Sequence, residues 1–195
     1  MTRAAQAEPP ALHEAVEPLG FLLGVWAGEG EGRYPTIEAF RYGEELHFSH
    51  NGKAFVGYTQ RTWDLGDDHL LHSETGYWRV TPEGRIELVL AHPTGVVEVS
   101  EGTLHTSGSD RGSRGDLPGE VAPGPRHAGS LLREISLASR FVGLTSSAKS
   151  VTALARTIQV AGSEMRSSLD MAAMGHPFQP HLHSVLERVG PGATR

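Results

Sequence analysis

Phe40-Arg41-Tyr42-Gly43-Glu44-Glu45-Leu46-His47-Phe48 carries its large apolar side chains, Phe40, Tyr42, Leu46 and Phe48, on even positions only. Successive side chains of a strand point to opposite faces, so this spacing predicts a β-strand with one face buried. Asn51-Gly52 follows as a turn signal, and Phe55 to Trp63 is again rich in aromatic and β-branched residues, which pack well on a pleated surface. The pattern continues downstream. Gly66-Asp67-Asp68 and Pro82-Glu83-Gly84 punctuate the chain, Ile86, Leu88 and Leu90 alternate, and Pro93-Thr94-Gly95 leads into Val97, Val99 and Thr103. Later strands are predicted over 131–142, 149–160 and 164–174, with Ala161-Gly162-Ser163 as the turn between the last two. Short strands at hairpin spacing make an all-β domain, and periodicity is satisfied equally by a sandwich and by a closed barrel.

Upstream of these strands, Leu12, Ala15, Val16, Leu19, Leu22 and Leu23 recur near helical spacing, but Pro18 and Gly20 limit any helix to short turns. Residues 1–10 read as a frayed terminus, 11–189 as one domain and 190–195 as a tail. Within the domain, 107–130 is rich in Gly, Ser, Pro and Arg, with only Leu117 and Val121 as larger aliphatics. That composition predicts a mobile hairpin insertion that contributes little to any pocket.

The formal charge of -6, with no cluster of Lys and Arg, argues against a nucleic-acid surface, whose affinity rests on neutralised phosphates. Cysteine is absent, which removes disulfides, thiolate nucleophiles, Cys-rich zinc sites and covalent haem attachment. The opening residues lack an apolar signal core and no run approaches a membrane span, so the expected address is cytoplasmic with no membrane partner. There is no Gly-x-Ser-x-Gly elbow, and Glu44, Glu45, Glu74 and Glu87 are scattered along strands without a basis for pairing them as acid and base.

Gly24-Val25-Trp26-Ala27-Gly28-Glu29-Gly30 opens the first strand. Glycine allows close backbone approach and Trp26 can plug one end of a barrel, although a purely structural strand explains the motif equally well. Among eleven histidines, His181-Leu182-His183 stands out. On a strand both rings would share a face and could chelate a divalent ion. The stripe Leu182, Val185, Leu186 and Val189, with Pro180 in a first turn, instead suggests a helix, on which the two rings diverge and His181 serves better as a single axial ligand.

The first-strand motif, Tyr34-Pro35-Thr36-Ile37, Leu71-His72-Ser73-Glu74-Thr75-Gly76-Tyr77, Leu88-Val89-Leu90-Ala91-His92-Pro93-Thr94-Gly95 and Gln179-Pro180-His181-Leu182 together resemble the nitrobindins, from about Leu19 to Val189. The 107–130 insertion is longer than the family hairpin. The resemblance implies a ten-stranded antiparallel up-and-down β-barrel, shaped like the fatty-acid-binding proteins, with non-covalent ferric haem b at one open end. It implies His181 as the iron ligand, Leu71, His72, His92 and Met171 as pocket positions, and Thr36 and Lys149 as contacts at the haem edge. His183 matches no family ligand. Nitric oxide and peroxynitrite are the implied small-molecule partners, isomerisation of peroxynitrite to nitrate the implied reaction, and a homodimer a compatible assembly. A nitric oxide sensor or carrier, and a haem-free carrier of apolar ligands, are the competing readings.

Overall fold

The computed structural model describes residues 10–108 and 131–190. The predicted insertion therefore lies almost wholly outside the described residues, as do the chain's first nine residues and last five. A 3₁₀ helix, Glu14–Leu22, leads into ten strands: β1 (Gly24–Tyr34), β2 (Ile37–Ser49), β3 (Val56–Asp64), β4 (Leu70–Val80), β5 (Ile86–Ala91), β6 (Val96–Ser107), β7 (Leu132–Leu144), β8 (Val151–Ala161), β9 (Glu164–Ala173) and β10 (Gln179–Val189). Each pairs antiparallel with the next, and β1 pairs with β10 to close an up-and-down barrel. Closure leaves no free sheet edge, and it decides between the sandwich and the barrel.

The barrel is filled in tiers. At one end the 3₁₀ helix packs Val16, Leu19 and Leu22 against Trp26, Phe48, Trp78, Ile86, Met165 and Leu186, all essentially inaccessible. Trp26 donates its indole N–H to the Leu22 carbonyl at 2.7 Å, so its one polar group is paired inside the plug. The Arg188 guanidinium lies 4.1 Å from its ring centroid and bonds the Phe21 carbonyl at 2.6 Å, which staples the helix to β10. Trp26→Ala is expected to cost roughly 3–5 kcal/mol of stability in a denaturant titration, because a plug of this size leaves a void its neighbours cannot fill.

The glycines of β1 permit the closure. A Cβ on Gly28 would lie 2.2 Å from the Val185 carbonyl oxygen of β10, and one on Gly30 would lie 2.3 Å from Tyr42 Cζ. The first allows tight pairing at the seam, and the second gives an aromatic ring of β2 room to lie against bare backbone.

One local reading of the sequence is overturned. Gln179–Val189 is a strand, not a helix. Its apparent helical stripe splits between faces, with Leu186 fully buried and Val185 at 38% exposure. The hydrogen bonds to β1 and β9 outweigh the local pattern because an unpaired β10 would leave two strand edges open. On β6 the inward residues are Val96, Glu98 and Ser100, whereas Val97 is 44% exposed. The apolar alternation of Val97 and Val99 therefore marks the outer face, and polar residues hold the inner one.

Candidate functional site: an open-ended chamber with a charged floor

Opposite the plug, the barrel opens into a chamber of about 460 Å³ lined by Ile37, Leu71, Val96, Val151, Leu154, Leu169 and Met171, with His72, His92 and His181 among the polar residues. That volume lies within the roughly 300–1,000 Å³ of small-molecule and cofactor pockets. A wider groove of about 590 Å³ also touches His181, but it is lined by the exposed residues Glu31, Arg41 and His183 and lacks enclosing apolar walls.

His181 reaches the chamber because β10 is irregular there. Pro180 pairs with Asp170 and Leu182 with Leu169, so His181 has no residue opposite it on β9. An extra residue of this kind bends the strand and re-aims a side chain. As a result His181 and its neighbour Leu182 both line the chamber, whereas His183 is exposed. Strict alternation would have put the two histidines on one face, so the irregularity removes the His-x-His chelate.

His181 Nδ1 lies 3.0 Å from the Arg33 carbonyl oxygen. A carbonyl only accepts, so Nδ1 carries a proton, and in the neutral ring Nε2 then keeps its lone pair. The β1–β10 ladder ends at Gly32–Leu182, and the imidazole uses the carbonyl one residue beyond it. Tyr34 braces the ring edge-on, with centroids 5.3 Å apart. The Tyr34 hydroxyl accepts from the Ala173 amide at 2.7 Å and donates to the Ala173 carbonyl at 3.1 Å, tying the end of β9 to this support. An imidazole oriented by a carbonyl bond, with its second nitrogen free, is the usual preparation of a metal-ligating histidine.

The chamber floor is charged. Arg156 of β8 is 6% exposed and pairs with Glu74 of β4 at 3.1 Å and Glu98 at 3.5 Å. Tyr58 donates to Glu74 Oε1 at 2.9 Å, and Ser100 donates to Glu98 Oε1 at 2.6 Å. Burial works against the Arg156 charge, but the two carboxylates outweigh it and push its pKa up. Burial raises Glu98, and His92, Arg156 and Ser100 overcome that to hold it down at about 2. Glu44, by contrast, is pushed up chiefly by burial, against hydrogen bonds from Ser184 and Gln60. His72 is pushed down by burial, opposed by Glu74 and reinforced by His92 and Arg156, which favours the neutral ring.

A family model described as the THAP4-like, heme-binding beta-barrel domain matches residues 15–112 and 120–188. The chain belongs to this family. Peroxynitrite isomerase 1 of Mycolicibacterium paratuberculosis is 43% identical to this haem-binding barrel over 180 residues, 92% of this chain and 98% of that protein. Peroxynitrite isomerase Rv2717c of Arabidopsis thaliana is 37% identical over 182 residues, 93% of each chain. The crystal structure of Rv2717c from M. tuberculosis superposes with a TM-score of 0.77 at 43% identity, covering 92% of this chain and all of that one. The nitrobindin resemblance and the ten-stranded barrel it implied are both borne out.

Five residues singled out in the sequence, Leu71, His72, His92, Met171 and His181, line one chamber of this haem-binding barrel. Thr36, in the β1–β2 turn, and Lys149, in the loop before β8, are exposed and do not line it, although their near neighbours Ile37 and Val151 do. Sequence reasoning missed Glu98 and Arg156 and found no partner for Glu74. One signal was available: Glu44 sits between Tyr42 and Leu46 on the apolar face of β2, and a charged residue at a core position implies a buried partner. Nothing local pointed to Arg156, whose partners lie 82 and 58 residues away.

Proposed function

We propose that this haem-binding barrel is a peroxynitrite isomerase that holds ferric haem b non-covalently on His181, converts peroxynitrite to nitrate and binds nitric oxide in the same chamber. The observation that carries the reading is His181 itself: its Nδ1 proton is committed to Arg33, and its unprotonated Nε2 belongs to a side chain lining an apolar chamber. The donor set fits the cofactor, since a neutral imidazole suits iron and the chain has no thiolate to compete. The family and the names of its relatives support the same reading.

His181 would hold the haem, which would supply a Lewis-acidic iron for a small oxygen- or nitrogen-bearing ligand. The chain's own part is to enclose that ligand. Ile37, Leu71, Val96, Leu154, Leu169 and Met171 displace water and leave few groups to trap a product. His72 and His92 supply the polar side of the chamber. Thr36 and Lys149, close in sequence to the lining residues Ile37 and Val151, would make the contacts at the cofactor's edge.

Peroxynitrite decay should be timed with the haem-loaded protein, with the haem-free protein and with an equal amount of free haemin. The proposal expects decay to nitrate to be fastest with the loaded protein and no acceleration from the haem-free chain. Nitric oxide binding without accelerated decay would instead make the protein a sensor or carrier.

A further inference from the structure

We propose that His72, His92 and Glu74 form a second metal site, for a four-coordinate divalent cation of the zinc type, on the chamber floor and distinct from the position at His181. The inference stands on donor geometry alone and does not require haem. One ligand atom from each residue lies within 4.8 Å of the others. His72 Nε2 is 3.2 Å from His92 Nδ1, which is 3.4 Å from Glu74 Oε2. A tetrahedral ion with bonds of roughly 2.0–2.2 Å holds its donors about 3.3–3.6 Å apart, so these separations match the edges of such a site. Imidazole and carboxylate are also the donors that suit zinc and its neighbours. Because all three residues line the chamber, a fourth position would open into it.

The groups behind His92 are compatible with an ion on its Nδ1. His92 Nε2 and Glu98 Oε2 are both buried without a hydrogen-bond partner, and they lie 3.8 Å apart. Glu98 Oε2 is held by the Arg156 guanidinium at 3.5 Å, whereas a His92 ring with its proton on Nδ1 would leave Nε2 buried without a partner. An ion on Nδ1 fixes the proton on Nε2, the nitrogen that faces the Glu98 carboxylate. Metal-bound histidines usually have such a carboxylate behind them. Charge agrees as well, since Glu74 and Glu98 together outweigh the one guanidinium of Arg156.

The test is calorimetric titration of the full-length, chelator-treated protein with Zn²⁺, repeated with Co²⁺, whose visible absorption distinguishes tetrahedral from octahedral coordination. One saturating equivalent with a tetrahedral Co²⁺ spectrum is expected. His72→Ala and His92→Ala should each weaken binding by more than about 100-fold, and Glu98→Gln by about 10–100-fold through loss of the bond behind His92. His72 is partly accessible, so its variant keeps the test open even if His92→Ala fails to fold. His181→Ala should leave the affinity unchanged. Asp67→Asn removes weak uptake at the exposed group Asp64, Asp67 and His69. Absence of saturable binding, wild-type affinity in both histidine variants, or loss of binding in His181→Ala would each overturn the proposal. Failure of the peroxynitrite assay would leave it untouched.

Discussion

Replacing His181 by alanine is expected to abolish the histidine-ligated Soret spectrum of the haem-loaded protein while the barrel stays folded. The side chain lines the open end and is absent from the packed core, so truncation removes one hydrogen bond to Arg33 and costs only about 1 kcal/mol of stability. In the proposed reading it also removes the iron ligand that the chain would supply. Free imidazole should partly restore the spectrum by filling the vacated space, which distinguishes a lost ligand from a collapsed pocket. His183→Ala is the matched control. Two residues away on the same strand, its side chain is exposed on the outer face, and its spectrum should stay close to wild type. The reverse pattern would place the β10 irregularity one position out of register. Spectra of the two variants, taken beside denaturant curves, check the expectation.

A stability loss as large as that of the Trp26 variant is expected at Arg156. Arg156→Met preserves much of the side-chain volume but leaves Glu74 and Glu98 buried without their shared cation. Breaking a buried ion pair from one side typically costs about 3–5 kcal/mol, because the remaining charge stays desolvated and unpaired. Adding Glu74→Gln should recover part of that loss, since a neutral amide needs no counter-charge. The double variant should therefore be clearly less destabilised than the sum of the two single changes in urea titration, a coupling that independent sites do not show.

The arrangement explains why a barrel with a sound apolar plug carries so many charges inside. Buried ion pairs are weak sources of net stability compared with apolar packing. Their retention here fits the position of the cluster, between the plug and the chamber, where Glu74 and Arg156 serve as structural floor and chamber lining at once.

By itself, the sequence determined what depends on neighbours along the chain. Alternation in Phe40 to Phe48 and in Ile86 to Leu90 predicted strands whose inner residues are buried, and the turn residues predicted where hairpins reverse. The Gln179-Pro180-His181-Leu182 segment marks the ligand candidate, and the family resemblance points to five residues that line the chamber. Tertiary structure decided whatever depends on partners far away in sequence. Pairing of β1 with β10 closed the barrel and held Gln179–Val189 as a strand against its helical stripe. The register shift beside Pro180 separated His181 from His183, although their spacing alone would have joined them. The inward face of β6 went to Glu98 and Ser100, and Arg156 found its carboxylates on other strands. Local periodicity records which residues can share a face. Which face turns inward, and which charges then meet, is set by hydrogen-bond register and barrel closure, interactions between residues that no short window of sequence contains.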